Sequence, residues 1–152
     1  MSIRKADPSD FDAVKFITRT AISEIYPRYY PKGAVEFFIS HHSDSGILND
    51  IKSNQVFLCL NANENAVGTV TLNKNEICRL FVLPEFQGKG HGRELLDFAE
   101  KTVFEDYSEV TLAASFPAKP IYLKRGYKEL GFNTIKTDNN DFLCYDVMTK
   151  KS

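Results

Sequence analysis

The sequence predicts an α/β fold: a mixed, mostly antiparallel central sheet, flanked by helices and carrying one parallel strand–helix–strand unit. Three observations predict it. From residue 55, the β-favouring runs QVFLCLN, AVGTVTLN and EICRLFVLP follow one another across NANEN and Asn73-Lys74-Asn75, both turn-forming segments, so they read as sequential antiparallel strands. A helical stretch with Leu95, Leu96, Ala99 and Val103 on one face then separates EICRLFV from EVTLAAS, a crossover long enough for parallel pairing. Near the N-terminus, Phe11, Val14, Ile17, Ala21 and Ile25 recur at helical spacing.

In chain order, Ser2 to Ala6 is a short strand, and Asp7 can N-cap a helix that has Pro8 at its first position. The amphipathic helix ends at Tyr26-Pro27-Arg28-Tyr29-Tyr30-Pro31-Lys32-Gly33, where two prolines interrupt helix among three tyrosines. Helical stretches follow from Ala34 to about His41 and around Ile47 to Ile51. On the crossover helix Arg93, Asp97 and Lys101 fall at four-residue spacings that suit ion pairs along the helix. Ala118 to Arg125 reads as a short helix ending at Gly126, with Pro117 and Pro120 in its first turn, where a missing amide donor costs little. Two strands, 127–136 and 142–148, close the chain around Asp138-Asn139-Asn140-Asp141.

Composition narrows the function classes. With 152 residues and 43% hydrophobic content, residues 1–152 fit one domain. A net charge of -1 gives no global field toward nucleic acid or an anionic membrane, so any anionic ligand is held locally. Cys59, Cys78 and Cys144 each sit in an apolar strand-like run without metal-ligand spacing, which reads as reduced, buried thiols. No apolar run approaches the roughly 18 residues of a membrane span, and the first residues carry no apolar signal region; the expected location is cytoplasmic.

The segment Leu80-Phe81-Val82-Leu83-Pro84-Glu85-Phe86-Gln87-Gly88-Lys89-Gly90-His91-Gly92-Arg93 carries the chemistry. A strand ends at proline and a helix begins among glycines, which let main chain pass close to a bulky anion, while the first helical turn offers unpaired N–H groups at its positive end. Phosphate or pyrophosphate is the natural ligand. The spacing of Gly88, Gly90 and Gly92 is not G-x-G-x-x-G, and no Ser or Thr follows a Gly-Lys as a P-loop requires.

What the residues do match is Q-x-x-G-x-G at Gln87, Gly90 and Gly92, between Val-Leu-Pro-Glu and Arg-Glu-Leu-Leu. This resembles motif A of the GCN5-related N-acetyltransferases, the GNAT family. Ile121-Tyr122-Leu123-Lys124-Arg125-Gly126-Tyr127 resembles the family's second signature, a tyrosine four residues before Gly-Phe, and the order of elements follows the family plan.

The resemblance implies a GNAT-like single domain with the parallel β-α-β unit at the CoA site, acetyl-CoA as co-substrate and direct transfer to an amine in a ternary complex. Phe81 and Val82 would pair their backbone with the pantetheine arm. The amides of Gln87, Gly88, Lys89, Gly90, Gly92 and Arg93 would hold the pyrophosphate, with Lys89 adding a charge contact. Transfer to an amine of pKa about 10.4 needs a proton acceptor. Counting back from Gln87 puts Glu76 where the family's histone acetyltransferases carry their catalytic glutamate, although Glu76 equally suits a solvated turn residue. Tyr122 matches the tyrosine that hydrogen-bonds or protonates the leaving thiolate. Cys78 has no His or Asp partner nearby for a covalent route.

His91 is expected to face solvent, and Ser115, Phe116 and Pro117 stand where many members carry a pantetheine-contacting asparagine. Tyr26, Tyr29 and Tyr30, with Phe37, Phe38, His41 and His42, fall in the stretch that forms the acceptor pocket in the family. Adjacent histidines on a helix cannot share one metal, so no metal is expected. A homodimer is a family expectation. The competing readings are a peptide or protein acceptor, and a non-catalytic CoA-sensing module.

Overall fold

A computed structural model describes residues 1–152. One seven-stranded sheet, in the order β1-β2-β3-β4-β5-β7-β6, organises the chain. Strand β1 (Ser2–Lys5) leads into a 3-10 turn at Pro8–Asp10, where Asp7 accepts the Ser9 N–H at 2.8 Å and Asp10 accepts the Asp7 N–H at 2.9 Å. Helix α1 (Phe11–Ile25) follows directly, burying Val14, Ile17, Ala21 and Ile22. Pro27 tightens the chain into a second 3-10 turn, and Pro31 precedes α2 (Lys32–His41). Ser43 caps α3 (Asp44–Lys52) by accepting the Gly46 N–H at 3.1 Å.

Strands β2 (Val56–Leu60), β3 (Ala66–Asn73) and β4 (Glu76–Val82) form the expected antiparallel meander. Helix α4 (His91–Asp106) crosses to β5 (Glu109–Ala114), which pairs parallel with β4. After α5 (Lys119–Lys124), β6 (Lys128–Lys136) and β7 (Phe142–Lys151) form a hairpin, and β7 inserts between β5 and β6. The sheet separates two cores. Val14, Ile17, Ile22, Ile47 and Leu58 pack under α1–α3, while Val70, Leu95, Leu96, Ala99 and Val103 pack under α4. A Cβ at Gly68 would lie 2.9 Å from Leu95 Cδ1, so glycine here lets α4 sit directly on the sheet. No helix is long and apolar enough to cross a membrane.

Two sequence expectations are corrected. Asp97 pairs with Arg125 at 2.8 Å rather than along its own helix, and buried Glu100 accepts from Arg125 and from Lys150, so α4 is tied to its neighbours. Of the cysteines only Cys59 is buried; Cys78 is exposed and Cys144 half-buried.

The reason for Cys78 also shapes the site. Thr71 faces Arg79 while Leu72 faces Ile77, which leaves Cys78 as the extra residue of a β-bulge. The bulge resets the alternation of β4. Arg79 and Phe81 lie on the α1–α3 side, as does Glu76, which simple alternation from Phe81 would have put on the opposite face. Beyond it β4 and β5 diverge, for their parallel pairing is confined to Glu76 with Thr111 and Ile77 with Leu112. A gap therefore opens through the sheet next to the start of α4.

Candidate active site

The β4–α4 connection is built to present unpaired amides. Gly88 and Gly90 adopt left-handed backbone, with φ of 76° and 95°, and Gly90 caps α4. The first amide of this region with an internal acceptor is Glu94, which donates to Gly90 O at 3.0 Å; the N–H groups of residues 88–93 have none. Gln87 works differently from the expectation. Its own amide donates to Pro84 O at 3.2 Å, and its side-chain Nε2 donates to Val82 O at 3.0 Å, which fixes the loop to the end of β4. The Lys89 ammonium rests 5.3 Å from the centre of the Phe86 ring, so this residue offers the loop its amide rather than a directed charge.

A cleft of about 590 Å³ opens in front of these amides. Arg93, Lys124 and Arg125 line it and no carboxylate does, an electrostatic setting suited to a polyanion. One wall is the unpaired edge of β4. Because the Leu83 N–H donates to Val67 O on β3, alternation turns the Phe81 backbone toward β3 as well and the Leu80 and Val82 backbones toward the open gap. The Phe81 backbone is thus paired with β3 and that of Leu80 faces the gap, while Phe81 lines both cavities.

A second cavity of about 480 Å³ lies on the other side of the gap, lined by Phe37, Phe38, His42, Glu76 and Arg79 among others. The two spaces share Tyr26, Leu80, Phe81, Ser115, Ala118 and Tyr122. Tyr122 stands on α5 at this junction, only 7% exposed, with its ring edge-on to Tyr127 at 5.4 Å. Burial, reinforced by the neighbouring Tyr26 phenol, pushes its pKa far above the usual range, so its hydroxyl remains protonated as a donor. Burial raises Tyr26 too, and the Ser115 side chain offsets part of that rise.

The three candidate tyrosines separate. Tyr26 lines both cavities, whereas Tyr29 is half exposed and lines neither. Tyr30 is structural in its contacts: its hydroxyl accepts the Phe116 N–H at 2.8 Å and its ring stacks on Phe116 at 4.9 Å, fastening the α1–α2 connection to the β5–α5 loop. Glu76 is exposed at the mouth of the second cavity. Cys78 lines that cavity without a basic partner, its thiol meeting only Glu76 O at 3.9 Å. His91 is a correction. It is buried, with Nδ1 3.6 Å from Cys59 Sγ and its ring edge-on to Phe86, because the first turn of α4 faces the sheet rather than solvent.

Sequence reasoning missed one group of residues. Arg79, buried on β4, donates from Nε to His42 Nδ1 at 3.0 Å, from Nη1 to Thr71 Oγ1 at 3.2 Å and from Nη2 to Asp50 at 2.7 Å. The available signal was an arginine in the middle of an otherwise apolar strand, which requires partners wherever it is buried. No three His, Cys, Asp or Glu side chains converge as a metal site would require.

Comparison with known proteins agrees with this architecture. A family model described as "Acetyltransferase (GNAT) domain" matches residues 25–145. The uncharacterized N-acetyltransferase YafP of Escherichia coli K12 is 26% identical over 136 residues, covering 90% of this chain and 83% of that protein. Spermidine N(1)-acetyltransferase of Thermoplasma acidophilum is 26% identical over 170 residues, covering 99% of this chain and 97% of its own. Among solved structures, a GCN5-related N-acetyltransferase from Rhodopseudomonas palustris superposes with a TM-score of 0.89 at 23% identity, covering 99% and 95% of the two chains. The PaiA N-acetyltransferase of Thermoplasma acidophilum, solved in complex with coenzyme A, superposes with a TM-score of 0.72 at 26% identity, covering 99% and 98%. The chain belongs to the GNAT family of acetyltransferases.

Proposed function

We propose that residues 1–152 form a single N-acetyltransferase domain that moves the acetyl group of acetyl-CoA to the amine of a small molecule while both are bound. The observation that carries this reading is the meeting of two cavities across the β4–β5 gap, with Tyr122 at the junction. A cleft with free amides and basic side chains suits a pyrophosphate; a separate aromatic cavity suits the acceptor.

In this reading the amides of residues 88–93 hold the pyrophosphate, with Arg93 near it, and the open-edge backbone of Leu80 and Val82 pairs with the pantetheine arm. Gln87 acts as a positioning residue for that loop through Val82 O. The amine attacks the thioester carbon directly, so a new C–N bond replaces the C–S bond and Cys78 takes no part. Glu76, at the mouth of the acceptor cavity, accepts the amine proton through water. Tyr122 donates a hydrogen bond to the departing sulfur; with a pKa raised so far it steadies the thiolate and keeps its own proton.

The test is turnover of acetyl-CoA with a panel of primary amines, spermidine among them, followed by release of free thiol. Acetyl-dependent thiol release with at least one amine is expected. Binding of acetyl-CoA without turnover across the panel would contradict the reading and favour a sensing module.

A further inference from the structure

The acceptor cavity contains a fixed hydrogen-bond donor that the transfer chemistry does not use. His42 ends α2, its ring edge-on to Phe81 at 5.6 Å, and it is 7% exposed among the cavity's lining residues. Its Nδ1 lies 3.0 Å from Arg79 Nε. A guanidinium N–H can only donate, so Nδ1 presents a lone pair and the neutral ring carries its proton on Nε2. Nε2 makes no hydrogen bond within the protein and is not among the fully enclosed polar atoms that lack a partner, so it keeps accessible surface on a residue that lines the cavity.

The surroundings define what this donor suits. The Arg79 charge is matched by Asp50 at 2.7 Å, and Arg79 Nη1 is taken by Thr71, which leaves no unpaired cation there for a carboxylate. Burying an anion on one neutral donor costs more than the hydrogen bond returns. A polyamine fits no better, because its further ammonium groups would approach Arg79 with Glu76 as the single carboxylate in the lining. Phe37, Phe38 and Tyr145 offer apolar surface between.

Resting on the transferase reading above, we propose that His42 selects the acceptor: its Nε2–H receives a neutral oxygen, a carbonyl before a hydroxyl, on an amine with an apolar body. Arg79 and Asp50 are positioning residues that hold the tautomer. The ring also stays neutral over the working range, since burial, then the Arg79 charge, then His41, lower its pKa to about 3.

The experiment compares phenethylamine, phenylalaninol, phenylalaninamide and phenylalanine as acceptors for the unsubstituted protein and for His42→Phe. Taking each rate relative to phenethylamine, and then the ratio between the two proteins, cancels the differing basicity of the amines. The expected result is a phenylalaninamide-to-phenethylamine rate ratio about three- to tenfold higher in the unsubstituted protein than in His42→Phe. An unchanged preference, or phenylalanine as the acceptor most dependent on His42, would overturn the proposal. Binding of N-acetylphenylalaninamide and N-acetylphenethylamine to the CoA-bound protein separates this from catalysis. Tighter binding of the amide, lost in His42→Phe, supports the subsite even if no amine is turned over, in which case it is the transferase reading that fails; equal binding overturns the subsite. In the unsubstituted protein, imidazole 15N signals should show His42 protonated at Nε2 and bare at Nδ1, and the reverse assignment would also overturn it.

Discussion

The two cavities that meet at Tyr122 are made of different material. On the α4 side the wall is main chain: unpaired amides of residues 88–93, left-handed glycines and the open edge of β4. On the other side it is side chain: aromatic rings from the 3-10 turn after α1 and from α2, the Arg79 network from β4 and residues of β5 and β7. Backbone groups recognise what every member of a family must bind and change little with sequence, whereas side chains gathered from several elements set what each member accepts.

Substitutions should divide along the same line, and the largest effect falls on the backbone side. Gly90 has φ of 95°, so Gly90→Val forces a β-branched residue into left-handed backbone and turns the amides away. Acetyl-CoA affinity measured by calorimetry should fall by about 100-fold or more, with the fold retained by circular dichroism; unchanged affinity would break the backbone half of the comparison. At the junction, Tyr122→Phe should lower kcat roughly 10- to 100-fold while KM for acetyl-CoA stays within about twofold, the pattern of an interaction made in the transition state.

On the side-chain side the clearest effect is on acid stability. The folded pKa of His42, about 3, lies below its ordinary value of 6.5. Above about pH 6.5 the ring is neutral in both states. Below that, the unfolded chain takes up a proton that the folded ring refuses, so stability falls as pH drops from about 6.5 toward about 3, by at most about 1.4 kcal/mol per pH unit from this group. Denaturant unfolding of His42→Phe should show that part of the slope removed; an identical slope would mean His42 is already solvated. The smallest effect belongs to Glu76→Gln, expected to lower kcat about three- to tenfold at neutral pH, because an exposed carboxylate acting through water is replaceable by buffer. Rescue by added small amine bases would sharpen that assignment.

Legibility in the sequence followed the same division. Gly90 and Gly92 lie close together in the sequence and their chemistry is that of the main chain, so their spacing pointed to the cleft, whereas Gln87 acts through its side chain; the place of Tyr122 before Gly126 pointed to the residue that stands between the two cavities. The strand order, the crossover and the hairpin were likewise visible in local periodicity and turn residues. Which backbone groups of β4 face the gap was not. That depends on the register of β4 against β3, and nothing in Ile77-Cys78-Arg79 announces an extra residue, so the expectation named Phe81 although it is the Leu80 backbone that faces the gap. The partners of Arg79 lie 37 and 29 residues away, and only the fold brings His42 and Asp50 to it. Tyr29 and Tyr30 fell outside the second cavity for a similar reason: the 3-10 turn at Tyr26–Arg28 points one tyrosine inward and leaves its neighbours to solvent and to Phe116.

The central claim is that acetyl-CoA lies through the β4–β5 gap with its thioester at the junction of the two cavities. A crystal structure of the protein with CoA tests it most directly. The account predicts the pyrophosphate on the amides of residues 88–93 and the sulfur within about 3.5 Å of the Tyr122 hydroxyl, a hydrogen-bond distance for sulfur. A sulfur lying outside the gap, away from Tyr122, would contradict it.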